Sequence, residues 1–445
     1  MSEQPDGLSS SEPLQKRWRS AFDNFFGFVE EAVDMAYLVR RSVNNAESLD
    51  EAVQKSLDAA FPAAVLKSNR EGLSRIVRHG FELSKSISDE VVVDATELAD
   101  SLLGEISEMV DEEFSSLKAS GRKLLVMPRV EMAMSGVHRR IGGPRLYAGL
   151  MLQLDSAFEV FVGELIVSTC LLHPIDYDLK TLGVTSRDIS RAASEEGVNE
   201  LFAEREAASV LARNIESWIE WFVRPPRKLV TLDALPPLDG VRKFHLIRNV
   251  LAHGNGKPQR RHEIQMKSLG LTESDFLLSE KHFQDACREY VTVAYQLWAT
   301  SGDKLFAKQG FAQSLTAVQV RLLKSQYVHA LARFNHRSLL SSSSDEVMVN
   351  WWLAELTAWD WQDEETTVRS KEEVRKDVAE WQPSPRNDEH GEILGIAKHL
   401  LLGEKTEAFD VAKRMVNEGR LNSFLVQDWP LFQELDVEAL LLSDD

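Results

Sequence analysis

The sequence predicts an all-α protein, and three observations carry that prediction. Apolar residues recur at three- and four-residue spacing over long segments, runs of alternating β-branched residues are short, and Gly142-Gly143-Pro144 and Pro225-Pro226 punctuate the periodic stretches. Leu14–Ser42 reads as one long helix, with Trp18, Phe22, Phe25, Phe26, Val29, Val33 and Tyr37 along a single broad stripe. Helices follow near 47–60 and 63–86. Val91–Lys118 is an acidic helix, holding Asp94, Glu97, Asp100, Glu105, Glu108 and Asp111 to Glu113, whose charge reads as a solvated face.

Composition changes at Ala119–Arg145, where Arg122, Lys123, Arg129, Arg139, Arg140 and Arg145 gather and Glu131 is the one acid. The next helix, Leu146–Leu172, buries Leu150, Leu154, Phe158, Phe161 and Leu165. Further helices are predicted near 186–195, 198–222, 237–253, 281–299, 312–335 and 345–360. The stretch Gln382–His390, with two prolines, reads as a linker. Ile393–Gly403 and Lys405–Gly419 then form a helix–turn–helix pair, with small residues at Ala397, Ala408 and Ala412. A tetratricopeptide-like unit near 391–420 and a generic helical hairpin fit that pattern equally, because several units at a fixed period are missing. Three regions result: an acidic N-terminal helical domain over 1–125, a central domain over 126–305, and a C-terminal helical domain over 306–445.

Composition limits the function classes. The chain has 445 residues, 43% of them hydrophobic and 27% charged, an ordinary balance for a globular protein with more than one domain. Its formal net charge of −19 argues against nucleic-acid binding over the whole surface, so any RNA site must be a local basic patch. The two cysteines, Cys170 and Cys287, lie in apolar helical patterns and are expected to be buried, inert thiols. The most apolar stretch, Tyr147–Leu172, contains Gln153, Asp155, Glu159 and Glu164, which rules out a conventional membrane span. With no basic-then-apolar signal at the N-terminus, a cytoplasmic protein is expected.

One cluster stands apart. In Phe244-His245-Leu246-Ile247-Arg248-Asn249-Val250-Leu251-Ala252-His253-Gly254-Asn255-Gly256, Phe244, Ile247 and Leu251 mark the buried stripe of a helix. Asn249 and His253 are four apart and share a face. Arg248 is five residues before His253, about 140° away around an ideal helix. The two are therefore expected to converge only if the helix ends near His253, where Gly254 offers a left-handed cap. A histidine in the last turn sees the negative end of the helix dipole, which favours a proton near neutral pH. Arg242, Lys243, His245, Lys257, Arg260, Arg261 and His262 surround the cluster, with no carboxylate in sequence between Asp239 and Glu263. Such density can hold a phosphate backbone even on an acidic protein.

The segment Ile247–Gly256 resembles the signature of HEPN domains, in which arginine, usually followed by asparagine, precedes histidine by four to six residues. The upstream Asp155-Ser156-Ala157-Phe158-Glu159-Val160-Phe161 is similar to the HEPN helix that carries a supporting polar residue. The resemblance covers roughly 145–300, about a third of the chain. It implies a helical-bundle HEPN domain, flanked here by N- and C-terminal helical domains, that forms a homodimer with both motif helices at one cleft. It also implies RNA cleavage without a metal or cofactor, with His253 moving the proton of a ribose 2′-hydroxyl and Arg248 stabilising the charged phosphorane. Asn249 would orient His253 or bind phosphate, and Glu159 would be the supporting residue. Lys257, Arg260, Arg261, Arg242 and Lys243 would bind RNA, and the basic turn Arg224–Lys228 is a second candidate contact. An antitoxin or trigger protein is an expected partner if the chain acts as a toxin or an anti-phage effector. The alternative is a non-catalytic HEPN scaffold that assembles a complex.

Other chemistries find little support. His245 and His253 are eight residues apart, roughly 12 Å along a helix, too far to share one metal. No phosphate-binding Gly-x-x-x-x-Gly-Lys-Ser/Thr loop and no Gly-x-Ser-x-Gly elbow occurs. Trp351, Trp352, Trp359, Trp361 and Trp381 could stack bases, but their acidic neighbours would repel a phosphate chain, so packing or protein binding is the expected role.

Overall fold

The computed structural model describes residues 11–46, 49–61, 69–80, 95–115, 126, 129–130, 133, 144–173, 184–195, 197–225, 227–231, 237–254, 258–276, 278–306, 310–334, 336, 339, 344–361, 369–421 and 429–435. Among the described residues every regular element is a helix, as the periodicity predicts. The longer helices are α1 (Ser11–Ala46), α2 (Leu49–Ala60), α3 (69–80), α4 (Ala95–Glu113), α5 (Pro144–Leu172), α6 (Ser186–Glu195), α7 (Val198–Leu211), α8 (Ile215–Val223) and α9 (Asp239–Gly254). They continue with α10 (Glu263–Ser268), α11 (Glu280–Phe306), α12 (Phe311–Lys324), α13 (Val328–Ala332), α14 (Asp345–Asp360), α15 (Lys371–Glu380), α16 (Asp388–Leu402) and α17 (Lys405–Asn417). No described helix is long and apolar enough to cross a membrane. Most of the basic 119–145 segment lies outside the described residues.

Three boundaries differ from the periodicity, each for a local reason. The single helix expected over 198–222 is two, because the Asn214 side chain accepts the Ser217 amide at 3.0 Å and starts α8 afresh. The Trp218 indole N–H donates to the carbonyls of Leu211 and Arg213, the kind of orphan acceptor that a helix end leaves. The helix expected over 312–335 breaks at Gln326, which takes a left-handed φ of 63°. There the Tyr327 amide folds back onto the Leu322 carbonyl at 2.8 Å, closing α12 as glycine usually would. Helix α15 was not expected, although Ser370 and Glu373 form a reciprocal capping box at its start. The proposed linker 382–390 accordingly shrinks to a short connection before the Asn387 cap of α16.

By packing, the chain divides into two units that are not continuous in sequence. The first comprises Met1–Glu30, Ser156–Arg242 and Ala286–Asp445, and the second Glu31–Asp155 and Lys243–Asp285. The first unit is built on an aromatic core. Trp18 and Phe22 of α1 pack on Trp298 and Phe306 of α11, with Phe22 and Trp298 centroids 5.3 Å apart, and Phe25 meets Phe158 and Phe161 of α5. Trp18 and Trp298 also donate each indole N–H to the other's backbone carbonyl, at 3.3 and 3.1 Å. The pair thus buries two large rings with both polar tips satisfied. The stripe predicted on α1 is this surface, except that Tyr37 is exposed. Cys170 and Cys287 are buried thiols outside any disulfide, and burial raises the Cys287 pKa.

A buried polar chain crosses the C-terminal part of the same unit. His336 Nε2 lies 3.0 Å from the Tyr295 hydroxyl and 2.9 Å from Gln319 Nε2, and its Nδ1 lies 3.2 Å from the Phe334 carbonyl. Asn350 Nδ2 donates to Gln319 Oε1, and the Trp429 indole donates to Asn350 Oδ1 at 2.7 Å. Two donors aimed at Nε2 and a carbonyl at Nδ1 suit the neutral ring with its proton on Nδ1. Burial accordingly pushes the His336 pKa down to about 3, with the Phe334 carbonyl opposing. Unfolded, the ring would titrate near 6.5. The neutral ring's contribution is therefore complete above that pH and is lost as pH falls toward 3, because only the unfolded chain then takes up the proton. We expect His336 alone to remove about 2 kcal/mol of stability between pH 7.5 and pH 5. Urea titrations at both pH values check this: His336→Asn should be less stable at pH 7.5 and lose less on acidification.

Also in this unit, Arg369 lies 4.7 Å over the Trp351 ring and pairs with Glu355, while Trp359 donates to the Arg369 carbonyl and Trp381 to Asp345. These tryptophans pack and brace α14 and α15, and Trp361 is left half exposed. The hairpin of α16 and α17 turns at Gly403, whose φ is 84°, and buries Ala397, Ala408 and Ala412 completely. The second unit has its own core, formed by Val53, Leu57, Leu73, Ile76, Val77, Ile106, Val110 and Phe114 of the segments around α2, α3 and α4. On its surface Arg75 pairs with Glu113 and His79 with Glu105. The acidity of α4 is thus partly neutralised within the unit.

Candidate functional site

The Arg-Asn-x-x-x-His segment lies in the last turns of α9, and α9 holds its position by burying Phe244, Leu246, Ile247 and Val250. The face carrying His245, Arg248 and Asn249 meets Asp155 of α5. Asp155 is fully buried, at 0% exposure, in a helix whose neighbouring Met151, Leu154 and Phe158 are also buried. Its Oδ1 lies 2.8 Å from His245 Nδ1 and its Oδ2 lies 3.1 Å from Arg248 Nε. Arg248 Nη1 donates in turn to Asn249 Oδ1 at 3.0 Å. One carboxylate therefore fixes two side chains three residues apart on α9. A buried carboxylate is costly unless it is paired, and here Oδ1 hydrogen-bonds with the His245 ring while Oδ2 meets Arg248 Nε as an ion pair without hydrogen-bond alignment.

The side chains of His245 and Arg248 are 16% and 23% exposed, so both reach solvent while anchored from beneath. Arg248 Nη2 has no protein partner among the described residues. The helix remains regular through Gly254, so His253 stands on α9 itself and not past its end. The helix thus ends directly after His253, at Gly254, where the sequence places its end. His253 keeps its place about 140° from Arg248 around the axis. The side chain of His253, the residue Lys257 and the side chain of Arg261 lie outside what is described.

The structure distributes the remaining site candidates unevenly. Glu159 is half-buried one turn beyond Asp155 on α5 and falls in the first unit, whereas the motif from Lys243 onward falls in the second. The carboxylate that meets the motif is Asp155. Arg242 pairs with Glu216 at 3.0 Å and Asp239 at 3.1 Å, and Lys243 pairs with Asp275 at 3.2 Å. Their charge is thus partly compensated by acids, Glu216 and Asp275 among them from elsewhere in the sequence, and the island is less basic than the linear sequence implies. Asp275 is held ionised below the usual carboxylate range: burial opposes this, but the Thr272 amide and hydroxyl and the Lys243 ammonium outweigh it. Arg260 is exposed. His262 is buried, and its Nδ1 accepts the Gln259 amide at 3.1 Å, a helix-start role and not a surface cation.

Two residues of the cluster were not assigned their roles from sequence. Asp155 had a usable signal, because it is an acid at a position where the helical period predicts burial, with Met151 and Phe158 on either side. His245 had a weaker one, its three-residue spacing from Arg248, which places both on one face. No protein-family model, no curated protein and no solved structure matches the chain.

Proposed function

We propose that the chain is a HEPN-type endoribonuclease, cleaving RNA by attack of a ribose 2′-hydroxyl on the adjacent phosphate without help from a metal. The observation that carries this reading is Arg248, ion-paired at Nε with the buried carboxylate of Asp155 and hydrogen-bonded through Nη1 to Asn249, on the helix that bears His253. A guanidinium held from below, with an edge directed outward, is preorganised for the charge that develops on a phosphorane. His253, in the last turn of α9, moves the proton of the 2′-hydroxyl. Arg260, Arg261 and Lys257 hold the RNA backbone, while Arg242 and Lys243 contribute less because each already has an acidic partner. Two chains pair so that their α9 helices share a cleft, and the flanking helical regions restrain or trigger the enzyme as a cytoplasmic toxin or anti-phage effector.

A non-catalytic scaffold is the competing reading, favoured by the pairing of Arg242 and Lys243 with carboxylates. Expression in a bacterial host separates the two. The wild type should slow growth and fragment cellular RNA, and His253→Ala should do neither. Equal growth and intact RNA with both proteins would reject the enzyme.

A further inference from the structure

The basic turn Arg224–Lys228 is a charged motif that the proposed reaction leaves unused, and the fold redraws it. Arg227 is withdrawn: its guanidinium stacks over the Trp221 ring at 4.1 Å and donates to Glu206 at 3.0 Å, with its side chain only 17% exposed. Arg224 is exposed and shares its charge with Glu220, one turn back on α8. Lys228 is exposed and has no carboxylate partner among the described residues.

A cation from elsewhere in the chain joins this turn. Lys304, in the last turn of α11 and 76 residues away in sequence, donates through Nζ to the Lys228 carbonyl at 2.7 Å. It too is exposed and has no carboxylate partner among the described residues. The two ammonium groups are therefore separated by no more than one lysine side chain and the hydrogen bond to that carbonyl. The negative end of α11 favours Lys304 where it stands, but it does not account for a second cation beside it. Like charges at such a separation repel, and an anion between them removes the repulsion.

The backbone beneath Lys228 is fixed. Its N–H donates to the Arg224 carbonyl at 3.1 Å, and the amides of Leu229 and Val230 both fold back onto the Phe222 carbonyl, at 2.8 and 3.2 Å. Closing the turn this way gives Lys228 a left-handed φ of 45°, which glycine adopts without strain and lysine does not. Trp221 is buried beneath Arg227, so the turn offers charge and no aromatic face on which a base could stack. Such a surface suits the phosphates of a nucleic-acid strand and not its bases.

We infer that Lys228 and Lys304, with Arg224 beside them, form a second site for RNA, in the first unit, that holds the phosphodiester backbone without reading sequence. The inference rests on the ribonuclease reading for the choice of RNA as the ligand. It departs from the linear motif by leaving Arg227 out and bringing Lys304 in.

The test measures equilibrium binding of single-stranded RNA oligonucleotides of two unrelated sequences over a range of salt concentrations, using the full chain with His253→Ala so that the RNA stays intact. Lys228→Gly removes one cation and suits the left-handed backbone, and Lys304→Gln removes the other while keeping an N–H donor. Together they should weaken binding roughly tenfold at about 0.15 M salt, equally for both sequences, and reduce the slope of log affinity against log salt by about 1.4. Lys228→Gly alone should melt no lower than its parent and reduce the slope by about 0.7, so it serves if the double variant does not fold. Folded variants that bind with unchanged affinity and slope, or that lose affinity for one sequence only, overturn the second site, as does a parent that binds neither RNA. None of these results touches the ribonuclease reading, which is judged by cleavage with the unsubstituted chain. Absence of that cleavage, with the salt dependence as expected, overturns the enzyme and leaves the second site standing.

Discussion

Arg248→Ala is expected to reduce RNA cleavage by about 10²- to 10³-fold and to destabilise the second unit. The two effects have one origin. Arg248 supplies the charge proposed to meet the phosphorane, and loss of one such preorganised donor costs about 10²- to 10³-fold. It also covers one oxygen of a carboxylate with no exposure to water, 3.1 Å from Nε. Removing it leaves Asp155 with His245 as its charged or N–H partner from α9, at a cost of about 1–3 kcal/mol. Arg248→Lys restores a charge but not the planar fork that reaches Asp155 and Asn249 together, so it should recover stability more than activity. Steady-state cleavage assays paired with urea denaturation separate the terms. The double substitution Asp155→Asn with Arg248→Ala removes the stranded charge, and it should be more stable than Arg248→Ala while remaining inactive. An Arg248→Ala protein that cleaves RNA normally would remove the site from the reaction altogether.

The second large effect is structural. Trp298→Ala should cost the first unit about 3–5 kcal/mol, the range for truncating a large buried aromatic residue. Trp298 is fully buried, lies 5.3 Å from Phe22 and 4.9 Å from Phe311, and donates to the Trp18 carbonyl. Trp298→Phe keeps most of the packing and loses the indole donor, so it should cost about 1–2 kcal/mol. The difference between the two variants, measured by urea unfolding followed at a probe in the first unit, divides the contribution into packing and hydrogen bonding. Near-equal losses would mean that the polar tip, and not the ring, governs the site.

What the sequence made legible follows from how local each signal is. The all-helical class, the α1 stripe of Trp18, Phe22, Phe25 and Phe26, and the extent of α9 rest on spacing within one segment, and the structure agrees. The break before α8 and the start of α15 were equally local, in Asn214 and in Ser370 with Glu373, but capping signals are easily lost inside a longer apolar period. The basic island was harder to judge. Glu216, Asp239 and Asp275 neutralise part of it, and Glu216 and Asp275 come from elsewhere in the chain. Asp155 is the sharpest case, because Glu159 one turn later looks the same in sequence. The choice between the two depends on which side of α5 faces α9, and that is set by tertiary packing.

The central claim is a 2′-hydroxyl attack at a site built on Arg248 and His253, and the chemistry of the product ends tests it most directly. Purified protein incubated with RNA in the presence of a chelator should yield fragments ending in a 2′,3′-cyclic phosphate and beginning with a 5′-hydroxyl, and His253→Ala should yield none. Fragments carrying a 5′-phosphate and a free 3′-hydroxyl, or intact RNA with the wild type, would contradict the account.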